Sequence, residues 1–187
     1  MPDSQVPQAR IVRAHTLSQT RAVLSTTAAR WLNLTATIPN DLLTRQPLPG
    51  EWSAVECLRH ILDTERQVFP VRVRALLAGQ DFPAFHPDKA GSAAGGQTAA
   101  QLAAEFARLR AESLKLLEQL TEDDLTRTAR HSELGLMTLS ETLNTWAAHD
   151  LNHTVQAERS IMQPFIGASG ALRFRFSDHD VDLPKQG

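Results

Sequence analysis

The stretch Thr138-Leu-Ser-Glu-Thr-Leu-Asn-Thr-Trp-Ala-Ala-His149-Asp-Leu-Asn-His153-Thr-Val-Gln156 decides the fold. Thr138 and Glu141 stand three residues apart and form a capping box, in which each side chain meets the other's free backbone N–H. No proline follows before Pro164, so the chain can stay helical. The same signature occurs at Thr16–Gln19, Ser53–Glu56 and Thr98–Gln101. These starts predict helices over 16–36, 53–78, 98–119 and 138–163. Pro39 follows the first, Gly79 the second, and Pro164 closes the fourth. Pro70 lies inside the second and kinks it, because it removes a backbone donor and crowds the preceding turn. Pro39-Asn40-Asp41 and Thr121-Glu122-Asp123-Asp124 read as single helical turns within connections. Residues 81–96, rich in proline, glycine and small side chains, form a long crossover between helices two and three.

Amphipathic helices of this length cannot bury their apolar stripes singly, and the compact solution is an all-α four-helix bundle. It occupies 16–163, between a loose segment 1–15 and a tail 164–187. The chain of 187 residues is one domain. The single cysteine, Cys57, excludes an internal disulfide, a Cys-rich zinc module and a CxxC motif. With 19 Lys plus Arg against 21 Asp plus Glu, the chain is not built for non-specific nucleic-acid binding. No apolar run approaches the ~18 residues of a membrane span, and the N-terminus carries no secretory signal. A cytoplasmic protein is the expectation. The strand-like exception is Leu172-Arg-Phe-Arg-Phe176, which alternates with period two. It is expected to lie over the bundle or to pair across a dimer, an amphipathic tail being the plainer reading.

At roughly 100° per residue, Leu139, Leu143, Trp146, Ala147, Leu151, Val155, Ile161 and Met162 of helix four share one arc. Thr142, Thr145, His149, Asn152, His153, Gln156, Ser160 and Gln163 share the other. A solvated face usually carries Lys and Glu; an uncharged polar face suggests a cleft. The i,i+4 spacing of His149 and His153 puts both imidazoles one turn apart, where they can chelate one cation. Two solvated histidines are the alternative.

In helix two, Val55, Leu58, Leu62 and Phe69 form the apolar stripe, while Glu56, His60, Asp63 and Gln67 line the other side. If the two polar faces converge, His60 completes an all-nitrogen set with open coordination positions, as in a catalytic metal site. An ordinary hydrated face is the other reading. Imidazole donors suit Zn, Ni, Cu or Fe without choosing among them. His15, His86 and His179 fall in termini or the crossover and are read as solvated. His131 precedes helix four and is a candidate for the mouth of the cleft. Cys57 is read as buried and inert, and Glu56 as occupied by its capping box.

The runs Pro49-Gly-Glu-Trp52-Ser53-Ala-Val-Glu56-Cys-Leu-Arg-His60-Ile-Leu-Asp63 and Leu139 to Gln156 together resemble DinB-like proteins. In that family a Trp-Ser pair precedes a metal-binding histidine, and an HxxxHxxQ helix follows. The likeness spans 16–163. It implies a four-helix bundle with a long crossover, often a homodimer, and it matches His60, His149 and His153 to a metal triad that holds nickel or zinc in different members. Relatives include S-transferases using the low-molecular-weight thiol bacillithiol, a mycothiol-dependent isomerase, metal-dependent hydrolases and members with no known reaction. The family name comes from DNA damage and does not imply a polymerase. Chemistry belongs to the site, so substrate does not transfer across the family.

Within that frame a metal-dependent hydrolase or thiol transferase acting on a small molecule is the first expectation. Asp63, Asn152 and Gln156 are the candidates to orient ligands or water. A non-catalytic, dimeric metal-binding or stress-response bundle is the alternative. G-x-S-x-G, P-loop and GxGxxG motifs are absent.

Overall fold

The computed structural model describes residues 15–85 and 96–182. The loose segment expected at the N-terminus, His86 and most of the crossover therefore lie outside the described residues. Helix one is α1, Thr16–Thr37, followed by the single turn α2, Asn40–Thr44. Helix two is α3, Ala54–Gln67, continued by α4, Phe69–Ala78. Helix three is α5, Ala99–Glu118, and a 3₁₀ turn spans Glu122–Thr126. Strands β1, Thr128–His131, and β2, Gly135–Thr138, precede helix four, α6, Leu139–Gly167. A second 3₁₀ helix, Gly170–Phe176, ends the fold.

The capping boxes at Ser53–Glu56, Thr98–Gln101 and Thr138–Glu141 form as read from the sequence. The one at Thr16 does not. Thr16 is already the first helical residue and is buried, so His15 takes the cap position, where no side-chain bond caps the helix. Pro70 acts as expected. The helix breaks at Val68, and Pro70 falls in the first turn of α4, where its missing N–H costs nothing. Pro164, by contrast, does not close helix four. One missing donor is tolerated because the next turn is anchored by buried Ile166 and by the Ala168 N–H, which donates to the Pro164 carbonyl at 3.1 Å.

Two strand expectations are overturned. The β1–β2 hairpin, antiparallel with Thr128 opposite Thr138 and His131 opposite Gly135, was not read from the sequence. Its four-residue strands are too short for period-two alternation to show. Conversely, Leu172–Phe176 is 3₁₀ helix, not strand. Gly170 turns the chain at φ +54°, and Arg173 reaches back to Asp180 and Asp182, closing a compact coil.

The bundle has a crossed connectivity. Helix one packs on three and four, and helix two also packs on three and four, so chain neighbours one/two and three/four sit diagonally. Helices two and three run in the same direction, since residues 54–62 share a cluster with 99–106 and residues 68–76 share one with Leu117. Parallel neighbours need a long connection, which is what the crossover provides. Helices one and four are parallel likewise, Leu17 and Leu24 sharing a cluster with Leu139 and Leu143, and Trp31 with Ala157. No helix among the described residues is long and apolar enough to cross a membrane.

Two apolar clusters fill the bundle, one around Leu24, Phe69, Val73, Leu117 and Trp146, the other around Trp31, Leu58, Ile61, Ala103 and Phe106. Arg110 stands in the core with no exposed side-chain surface. Its guanidinium donates to Asp150 (2.6 and 3.2 Å), Glu65 (2.7 Å) and the Leu24 carbonyl (3.0 Å). Phe106 and Trp146 present ring faces to it. Burial pushes this guanidinium's pKa down, and the two carboxylates more than reverse that, so it stays charged. Removing one member of such a set strands the others in a low-dielectric interior. Arg110→Ala is therefore expected to cost about 3–5 kcal/mol of stability. Urea denaturation measures it, and a loss comparable to that of a surface pair would rule out a central role for Arg110.

Candidate metal centre

His60 lies on the buried side of α3, between Leu58 and Ile61, both fully buried. His149 and His153 project from adjacent turns of α6. The expected convergence occurs: one ring nitrogen from each histidine lies within 4.8 Å of the others, a grouping able to hold a metal ion. His60 Nε2 is 3.0 Å from His149 Nε2. Ring centroids are 5.0 Å apart for His60–His149 and 4.5 Å for each of the other pairs.

The walls are aromatic. Trp52 packs on His60 at 4.9 Å and stacks over His153 at 5.7 Å. Phe69 meets His149 edge-on at 5.1 Å and stacks flat on Trp146. Phe69 was read only as core. A sequence cannot show that the kink at Val68 turns its ring onto a histidine. The sequence also placed Leu151 and Val155 on the apolar arc, yet both are exposed, and Asp150, Thr154 and Ala157 turn inward instead. The cause is the Arg110 guanidinium, which holds Asp150 in the core. The signal was legible in helix three: Arg110 continues the spacing of Leu102, Ala103 and Phe106, a charge on an apolar stripe.

Gln156 is brought to the cluster. Its Oε1 lies 2.9 Å from His153 Nδ1 and accepts that proton, which leaves Nε2 as the ring's lone-pair donor. Asp63 is engaged elsewhere, accepting from Arg66 at 3.0 Å. Asn152 is exposed. His131 is buried in the hairpin, where Nδ1 accepts the N–H of Glu133 and of Leu134, and it is not in the cluster. His15 and His179 are exposed, as expected. Cys57 is fully buried and its thiol is pushed up to about 12, chiefly by that burial, so it is no nucleophile at neutral pH. Glu56 is held in its capping box.

Burial, reinforced by His153, His60 and Arg110, pushes the His149 pKa down to about 3. Burial lowers His153 too, against the opposing bond from Gln156. Both rings are therefore neutral at physiological pH, the state in which an imidazole offers its lone pair to a metal. Three imidazole nitrogens at this spacing could hold a metal ion.

The DinB superfamily model matches residues 23–157. The chain is also similar to a solved structure, YfiT from Bacillus subtilis, described as a probable metal-dependent hydrolase with an unusual four-helix bundle topology. Identity is 18%, the match covers 86% of this chain and 90% of that one, and the TM-score is 0.66, a likeness of fold. No curated protein matches the chain.

An unfolded chain protonates His149 near 6.5, whereas the metal-free fold resists this down to about 3. Between those values the unfolded state binds more protons, so the contribution is complete above 6.5 and is lost as pH falls. In EDTA, the urea midpoint of the protein should drop from pH 7.5 to pH 5, and His149→Gln should flatten that drop. An unchanged slope in the variant would refute the assignment of His149 as a buried neutral ring.

Proposed function

The chain belongs to the DinB superfamily, and we propose that within it the protein is a metal-dependent hydrolase of a small molecule. The observation that carries this reading is the convergence of His60, His149 and His153 between two helices, with aromatic walls and with His149 and His153 neutral. A nickel or zinc ion held there would lower the pKa of a bound water and polarise an acyl or related group. Gln156 holds His153 in the tautomer that directs Nε2 to the centre. Trp52 and Phe69 restrict the rings from either side and limit access of bulk water. The buried carboxylates Glu65 and Asp150 are committed to Arg110 and are not available as bases. A thiol transferase would use the same three ligands to hold a cofactor thiolate, with the thiol supplied from solution, because Cys57 is buried.

We also propose a homodimer. Leu151, Val155 and Phe165 are 43, 57 and 60% exposed along the outer side of α6, and Leu172 and Phe174 are 55 and 67% exposed on the 3₁₀ helix beyond it. Apolar surface of this extent on one helix marks a contact face.

Elemental analysis of the untagged protein beside His60→Ala, His149→Ala and His153→Ala tests the centre. Near-stoichiometric nickel or zinc in the wild type, lost in all three variants with helix content intact, is expected. Metal-dependent turnover in an ester and amide panel, with bacillithiol and mycothiol arms, then separates hydrolysis from thiol transfer. A wild type that takes up no metal when supplied with it would leave the non-catalytic bundle as the reading. Sedimentation should show a dimer that Val155→Asp converts to monomer, and a monomeric wild type would sink that part.

A further inference from the structure

Buried polar atoms in a packed core nearly always have hydrogen-bond partners. Among the described residues five buried side-chain atoms have none: Trp31 Nε1, Glu65 Oε1, Arg110 Nε, Trp146 Nε1 and His149 Nδ1. Trp31 sits in the apolar cluster that does not contain Trp146. The other four gather at the Arg110 guanidinium. Glu65 reaches it through Oε2 at 2.7 Å, and the centre of the Trp146 ring lies 5.4 Å from its carbon. Asp150, which accepts from it at 2.6 Å, follows His149 in the chain.

Glu65 also stands level with the His149 ring. In the chain it falls between His60 and Phe69, whose ring centres lie 5.0 and 5.1 Å from that of His149. Trp146, one turn before His149 on α6, stacks on the same Phe69 ring at 5.3 Å. Chemistry sorts the atoms. Trp146 Nε1 and Arg110 Nε only donate, Glu65 Oε1 only accepts, and an imidazole nitrogen does either according to its tautomer. With its proton on Nδ1, His149 supplies a donor for this oxygen and keeps the Nε2 lone pair toward His60, 3.0 Å away. His153 is arranged in the same way, with Nδ1–H on Gln156 Oε1.

We propose that Glu65 is a positioning residue for His149, holding it as the Nδ1–H tautomer through one internal water. The water accepts from His149 Nδ1–H and Trp146 Nε1–H and donates to Glu65 Oε1. Three bonds are the usual complement of a buried water. Arg110 fixes the carboxylate by its other oxygen. The lone pair of His149 Nε2 is thereby aimed at the centre, as Gln156 aims that of His153. This role rests on the same convergence of histidines as the proposed function and needs no bound metal.

Imidazole nitrogen NMR of the metal-free full chain at neutral pH reads the tautomer directly. In the wild type His149 should carry its proton on Nδ1, with a cross-peak from that proton to a bound water. Glu65→Gln keeps an oxygen for Arg110 but turns amide N–H groups toward the water. That reverses the bonds, and His149 should shift to the Nε2–H tautomer. Asp150→Asn perturbs the same ion cluster from its other side and should leave the proton on Nδ1. A wild type with the proton on Nε2, or with no water cross-peak, would overturn the proposal whether or not either variant folds. So would an unchanged tautomer in Glu65→Gln. An equal shift in Asp150→Asn would overturn it too, because the effect would then be a general loosening of the cluster. A wild type that takes up no metal yet keeps His149 as Nδ1–H ends the metal reading and upholds this one.

Discussion

One guanidinium ties all four bundle helices together. Arg110 of helix three bonds the Leu24 carbonyl of helix one, Glu65 of helix two and Asp150 of helix four. A planar fork accepts partners only in its own plane, so the contact fixes rotation as well as distance. Asp150 must point inward, which swings its neighbour His149 to the edge of the core. Glu65 must point inward as well, which sets the rotation of the helix that carries His60. The histidines meet because the buried ion cluster holds both helices at the angles that make them meet. Hydrophobic burial alone leaves helices free to turn by a residue or so, since apolar contacts carry no direction.

That cluster also shapes the electrostatics of the centre. Arg110 adds its positive charge to the burial that keeps His149 unprotonated. The same desolvation that would make an isolated charge expensive thus keeps His149 and His153 neutral. Trp52 and Phe69 complete the enclosure. The centre sits where helix two bends, and the bend at Val68 lets Phe69 serve the core through Trp146 and the site through His149 at once.

The crossed connectivity follows from direction. Helices two and three run parallel and adjacent, which no tight turn can link, and the diagonal pairs are joined by segments that carry α2 and the β1–β2 hairpin. The hairpin belongs to one of these segments, and it packs against α4 through Phe82, His131 and Arg72. It is therefore more than a connection, because it presses a second set of polar side chains against the helix that flanks the histidines.

The bundle, its kink and its three candidate ligands were legible in the residues themselves, because the forces responsible are local. Capping boxes at Ser53, Thr98 and Thr138 satisfy their own backbone, Pro70 disrupts its own turn, and an i,i+4 pair such as His149 and His153 shares a face in any helix. The buried pairing of Arg110 was not read, although its place on an apolar stripe marked it, because a charge reveals its partner only when the partner helix arrives. Leu151 and Val155 went to the wrong side for that reason. Leu172–Phe176 alternated like a strand and became 3₁₀ helix because a strand exists only where another lies beside it, and the hairpin formed where one did. Whether His60 meets the other two, which face of helix four is inside, and which aromatic rings close the site depend on the relative rotation of helices far apart in sequence. Periodicity along one helix contains no term for that, and the packed bundle supplies it.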